Sequence, residues 1–252
     1  MSKIYSNGEW TMELINFRLS GRFAHFLRAE ASASALSYPV PPRTVILGVL
    51  GAILGLSKDE PQIILEPAKI ALSGKLPKTY WHRIKLRKDP PPLLPRVIKR
   101  GQKADKTTAP EKATLILQEW LFEPSYTVWV SIPEPNHADL KDRLIKRQWH
   151  FSPSLGLSEM IADIEYLGTN ECMLLPKGTY DVQSVFRQGA GILEMEKIFE
   201  KELVIHSLQM PRTVTADRVF SHSAYFIERD GRAVPEETDQ AYKVGDKVVM
   251  FL

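Results

Sequence analysis

Between residues 12 and 19 the apolar side chains Leu14, Phe17 and Leu19 stand among polar neighbours, an alternation that predicts a strand. At Val45–Leu56 the pattern becomes a near-continuous apolar run laced with glycine, which reads as a buried helix. The preceding Tyr38-Pro39-Val40-Pro41-Pro42-Arg43-Thr44 is held extended, because each proline fixes φ and biases its predecessor away from the helical region. The helix is therefore expected to begin near Pro42. Gly48, Gly51 and Gly55 fall at i, i+3 and i+7 on one face, and an interior glycine costs up to ~1 kcal/mol relative to alanine, which predicts a close approach there. Ile63–Leu72 favours strand but is interrupted by Pro67, and Lys75–Lys112 is proline-rich and reads as no regular core element. Ala113–Phe122 and Ser125–Ile132 predict two strands joined at Glu123-Pro124 in a hairpin-like connection. Asn136–Trp149 predicts a helix with Leu140, Leu144 and Ile145 as its apolar stripe, and Ile161–Leu167 a further strand.

Strand, helix, two strands, helix, strand is the ferredoxin-like (RRM-like) order on which RNA-recognition domains are built. The expected fold class is α+β: a ferredoxin-like amino-terminal domain over residues 1–168, with residues 75–112 as an insertion before its central hairpin. After Gly168 short β-like runs take over, at Thr179–Phe186, Glu202–Gln209, Arg218–Arg229 and Lys247–Leu252, with turns at Asp230-Gly231 and Gly245-Asp246. They predict a smaller β-rich domain over residues 169–252.

The charge is unevenly placed. Residues 75–112 hold twelve Lys and Arg against Asp89, Asp105 and Glu111, a local +9, so the rest of the chain carries −6 of the overall +3. Such asymmetry points to a polyanionic partner. With 44% hydrophobic and 25% charged residues among 252, the composition is that of an ordinary globular protein. The longest apolar run falls short of the ~20 residues that cross a bilayer, so no membrane partner and a cytoplasmic location are expected. Cys172, the single cysteine, excludes an internal disulfide and reads as a small buried hydrophobe.

The histidines at 25, 82, 137, 150, 206 and 222 include no pair at i, i+3 or i+4, and no zinc spacing exists. Gly48-Val49-Leu50-Gly51 and Gly189-Ala190-Gly191 are neither a Walker loop nor a dinucleotide fingerprint, so neither a metal nor a cofactor is expected. The basic insertion is the stronger lead. Lys78, Arg83, Lys85, Arg87 and Lys88 suit phosphates, while Tyr80, Trp81 and His82 can stack on unpaired bases, the usual combination for single-stranded RNA. The bland alternative is a solvated charged loop. Arg22, His25 and Arg28 follow the first strand, and Arg43 with Thr44 opens the first helix, where free N–H groups favour a phosphate. Against that, Arg28 and Arg43 could pair with Glu30 or another acid, His25 could be a satisfied buried imidazole, and Tyr38 reads more safely as packing than as a base-stacking ring. Arg187, beside Gln188-Gly189-Ala190-Gly191, and Arg212, after Pro211, are weaker RNA-binding candidates.

The run Phe17–Phe26, the Ser37-Tyr38-Pro39 and Pro41-Pro42-Arg43-Thr44 segment and the Gly48–Gly55 face together resemble the amino-terminal signature of the Cas five family. These are RAMP-type subunits of type I CRISPR surveillance complexes (Cascade). Pro153-Ser154-Leu155-Gly156-Leu157-Ser158-Glu159, running to Gly168, is similar to the family's mid-chain motif and most like its type I-B branch. The resemblance covers about a quarter of the chain; residues 1–11 fit nothing in it, and Met12 is expected as the more usual start. It implies that the protein caps the 5′ handle of CRISPR RNA (crRNA), with the insertion as a thumb. It also implies a backbone Cas seven-family subunit, a large Cas eight-family subunit and target DNA near the PAM as partners. In the type I-C branch the subunit itself cleaves precursor guide RNA without a metal, using tyrosine, lysine and histidine. Tyr80, His82 and Lys85 are the corresponding catalytic alternative here, but on a strand Lys85 would point away from the other two, and the expected adjacent Lys-His pair is absent. Binding without catalysis is therefore the favoured expectation. A free-standing RNA-binding protein would explain the charge but not the Tyr38–Gly55 signature.

Overall fold

The computed structural model describes residues 3–6, 9–28, 34–87 and 113–252. Strand β1 (Lys3–Ser6) folds back on the long β2 (Glu9–Ser20), and short strands β3 (Phe23–Ala24), β4 (Phe26–Leu27) and β5 (Ser37–Tyr38) follow. Helix α1 (Arg43–Leu54) starts at Pro42, as the prolines require, and ends at Gly55, whose φ of 80° admits the left-handed cap. Helix α2 (Glu60–Ile64) and strand β6 (Lys69–Gly74) come next, then a pair of ten-residue strands, β7 (Lys78–Arg87) and β8 (Ala113–Phe122). The chain continues through β9 (Ser125–Ser131), α3 (Asn136–Lys146) and β10 (Asp163–Leu174). The remainder is β11 (Gly178–Val182), β12 (Phe186–Arg187), β13 (Gly191–Leu193), α4 (Met195–Glu200), β14 (Ile205–Val214), β15 (Phe220–Glu228), β16 (Val234–Thr238), β17 (Tyr242–Val244) and β18 (Lys247–Val249).

The fold is mixed α and β. Its main sheet runs β13-β16-β11-β18-β17-β10-β2-β9-β6, with β1 on the side of β2. Within it β10, β2, β9 and β6 are antiparallel neighbours, α1 connects β2 towards β6, and α3 connects β9 to β10. Strand alternation sorts the core. Ile15, Phe17, Leu19, Val128 and Val130 face the helices with Ile46, Leu50, Leu140 and Leu144, while Leu14, Ala71, Trp129 and Cys172 fill a second cluster. Burial pushes the Cys172 thiol up to about 12, as suits a packed hydrophobe.

Two expectations need correction. The strand next to β9 is Lys69–Gly74, whereas Ala113–Phe122 lies in a separate three-stranded sheet, β3-β8-β7. Glu123-Pro124 is accordingly no hairpin turn. Glu123 takes a φ of 47°, its N–H donates to the Arg22 carbonyl at 2.9 Å, and the Gly21 N–H donates to the Pro124 carbonyl at 3.2 Å, so the chain steps from one sheet to the other. The segment 75–112 also opens with a regular strand, β7, although an exposed one.

Further boundaries differ by small amounts. Helix α3 stops at Lys146 rather than Trp149, because Arg147 turns left-handed with φ 53°. Strand β10 runs through Gly168, the expected domain boundary, with a bulge between Tyr166 and Gly168. Gly51 has the expected close approach: a Cβ there would overlap Pro61 Cγ of α2, while at Gly48 it would meet nothing within 4 Å.

Candidate nucleic-acid interface

The β7–β8 ladder fixes which basic and aromatic residues share a face. Tyr80, His82 and Ile84 lie opposite Trp120, Gln118 and Ile116, whereas Trp81, Arg83 and Lys85 lie opposite Glu119, Leu117 and Leu115. The first face is an aromatic stack: Tyr80 meets Phe122 at 5.4 Å, His82 meets Trp120 at 4.3 Å, and Phe23 meets Trp120 at 5.2 Å. Trp120 Nε1 donates to Gln118 Oε1 at 2.8 Å, and the Arg22 guanidinium sits 5.5 Å over Phe23. On the second face Trp81 is 53% exposed, and among the described residues neither Arg83 nor Lys85 has a hydrogen-bonding or ion-pair partner. Glu119, the one acid opposite them, accepts a hydrogen bond from the Ser37 N–H at 2.9 Å. Lys85 thus stands across the strand from Tyr80 and His82, so the three do not converge on one point. Lys78 pairs with Phe122 at the base of the ladder and Arg87 closes β7, while Lys88 lies outside the described residues.

The loop candidates serve the framework under this ladder. His25 is 2% exposed and its Nδ1 donates to the Glu119 carbonyl at 2.7 Å; burial holds the imidazole below its usual pKa, so it is neutral, and its Nε2 is buried without a partner. Leu155 accepts from the His25 N–H at 2.9 Å, and a Cβ at Gly156, which has φ 104°, would overlap the His25 carbonyl oxygen. The two motif-bearing stretches, 17–56 and 153–159, therefore meet at this residue. Arg28 donates from Nε to the Ser37 carbonyl at 2.9 Å and lies 5.5 Å over the Tyr38 ring, which is 3% exposed and packs rather than presenting a face to a base. Thr44 is half-buried, and its carbonyl accepts from Gln62 Nε2 at 2.8 Å.

Arg43 is not directed at a phosphate on the helix amino terminus. It is buried, and its Nη2 donates to the carbonyls of Glu66 and of Ala68, the latter at 3.2 Å. The same side chain nonetheless lines a cavity of about 260 Å³ shared with Arg187 and Arg212, so three sequence-distant candidates come together. Sequence reasoning missed Lys69, which joins them and carries no periodic or motif signal, and the Ser37–Glu119 clasp, whose partners lie 82 residues apart although Ser37 belongs to the signature segment. Among the described residues no three His, Cys, Asp or Glu side chains group to hold a metal, and no helix is long and apolar enough to cross a membrane.

Comparison with known proteins adds the family. In overall structure the chain is similar to a chain of a "CRISPR RNA-guided surveillance complex", with TM-score 0.52 and 14% identity over 88% of this chain and 91% of that one. It is also similar to a CRISPR protein from Archaeoglobus fulgidus, with TM-score 0.48 and 13% identity over 95% and 99% of the two chains. No curated protein matches in sequence. The family model described as "CRISPR-associated protein (Cas_Cas5)" matches residues 14–230, and with that span the chain belongs to the CRISPR-associated Cas5 family.

Proposed function

We propose that this protein is a non-catalytic subunit of an RNA-guided CRISPR surveillance complex (Cascade) and binds the 5′ handle of the guide RNA. The carrying observation is the face of the β7–β8 ladder on which Trp81, Arg83 and Lys85 stand in a row, exposed and with no carboxylate bound to either cation among the described residues. An exposed indole offers a stacking surface to any base, and the flanking cations neutralise backbone phosphates. Residues 75–112 act as the thumb, and its +9 charge supplies the attraction. Antiparallel order β10-β2-β9-β6 with α1 and α3 as connections supports the ferredoxin-like reading, with Lys69–Gly74 as its second strand. The division into residues 1–168 and 169–252 is kept as a proposal, with its seam at the Gly168 bulge. Backbone Cas seven-family and large Cas eight-family subunits are the protein partners of this reading, target DNA near the PAM is its further ligand, and the cytoplasm is its place. The separation of Lys85 from Tyr80 and His82 supports binding without cleavage. Affinity purification of the tagged protein from its native host, with sequencing of bound RNA, tests the proposal. Guides sharing one repeat-derived 5′ end are expected; RNA without such an end would overturn it.

A further inference from the structure

Four cationic side chains from distant parts of the sequence, Arg43, Lys69, Arg187 and Arg212, line one cavity of about 260 Å³ together with Glu66 and Tyr242. Glu66 is the single acidic side chain in that lining. Arg43 is satisfied by main-chain carbonyls, but Arg187 and Arg212 are not: among the described residues neither side chain makes a hydrogen bond or ion pair. The Nε of Arg212 is buried and has no partner. A buried donor left unmade is costly, and more so when it is charged. The like charges also act on one another. Burial first, and the Arg212 guanidinium second, press the Arg43 guanidinium below its usual pKa. All three arginines also act on the buried Tyr225 phenol, so their fields overlap in one place.

An anion in the cavity would relieve both penalties at once. Guanidinium forks match the oxygens of a phosphate in pairs, and several forks with one ammonium exceed what the Glu66 side chain can neutralise. The volume lies below the ~300–1,000 Å³ usual for small-molecule sites, which leaves room for a phosphate and its sugar but not for a large cofactor. We infer that this cavity is a phosphate-ester site and that it holds one backbone phosphate of the bound RNA. The source of the phosphate rests on the RNA-binding reading above; the site itself does not.

The test uses the full-length protein, its Arg187→Gln and Arg212→Gln variants, and Trp81→Ala on the ladder as a control. Inorganic phosphate, against chloride at equal ionic strength, is expected to raise the melting temperature of the wild type by roughly 3–5 °C at tenfold saturation. Both glutamine variants should lose this shift and Trp81→Ala should keep it. No shift in the wild type, or an undiminished one in both glutamine variants, overturns the site. With single-stranded handle RNA, the same two variants should bind roughly tenfold more weakly. Undiminished RNA affinity alongside a lost phosphate shift keeps the site and overturns its RNA source, in favour of a free phosphate ester. A wild type that responds to phosphate but binds no RNA sinks the RNA-binding reading and the RNA source with it, while the phosphate-ester site stands.

Discussion

Replacing Gly48 and Gly51 separately by alanine should move stability in opposite directions although both lie on one helix face, one turn apart. Alanine in a helix interior gains about 0.5–1 kcal/mol over glycine by restricting the unfolded chain. At Gly48 nothing lies within 4 Å of the new Cβ, so that gain is kept whole. At Gly51 the Cβ would overlap Pro61 Cγ and lie 2.9 Å from Pro61 Cβ. Pro61 is buried at the start of α2, and its ring has no rotamer with which to escape. Overpacking of this kind costs about 1–3 kcal/mol, which exceeds the propensity gain. In a domain of this size each kcal/mol is worth roughly 2–4 °C, so Gly48→Ala should melt about 1–4 °C above wild type and Gly51→Ala several degrees below it at the upper end of that cost. Gly51→Leu should fall further. Thermal melts by circular dichroism on the purified variants read the difference. A Gly51→Ala variant that melts above wild type would refute the α1–α2 packing argument.

Three further outcomes follow from the same structure. Arg83→Ala and Lys85→Ala should each remove ~0.7 from the log–log salt slope of handle-RNA binding, measured by fluorescence anisotropy, and Trp81→Ala should cost about 1–3 kcal/mol of affinity; an unchanged slope would leave the ladder as a solvated face. Precursor repeat RNA incubated with the protein in EDTA should stay intact on a denaturing gel, whereas cleavage that vanishes in His82→Ala would make the chain a ribonuclease. Glu236 is 1% exposed, and burial raises its carboxyl to about 7, with Oε2 unpartnered. Because the folded state holds this proton while the unfolded state releases it above its ordinary pKa, the penalty is absent at pH 4, grows through pH 7 and then levels off. Glu236→Gln should therefore raise the melting temperature more at pH 8 than at pH 4.5, and an equal shift at both would contradict the buried-acid reading.

The features most legible in the sequence are those written in backbone chemistry. Pro42 and Gly55 bound α1 because their conformational limits act locally, whereas the glycine spacing pointed to a whole face, of which Gly51 is closely approached by Pro61 and Gly48 is not. The second strand of the four-strand core was misplaced for a reason of packing. Ile70, Ala71 and Leu72 are all buried, on both faces of β6, so the run lacks the alternation that makes Ala113–Phe122 look like a core strand. Helix α4 spans only six residues, too few to register a period. At the candidate interface the alternation of Tyr80 and His82 against Trp81, Arg83 and Lys85 follows from strand geometry and was readable. The cavity was not, since Arg43 and Arg212 are brought together only by tertiary folding, and the direction of Arg43 is decided by the carbonyls of Glu66 and Ala68.

Photo-cross-linking of the assembled ribonucleoprotein, with 4-thiouridine placed in the guide's 5′ handle and peptides mapped by mass spectrometry, tests the central claim most directly. Cross-links should fall on Lys78–Arg87, with Trp81 foremost, and weaken when Trp81 is replaced by alanine. Handle cross-links confined to other segments, with β7 and β8 unlabelled, would contradict an RNA-binding role for this ladder.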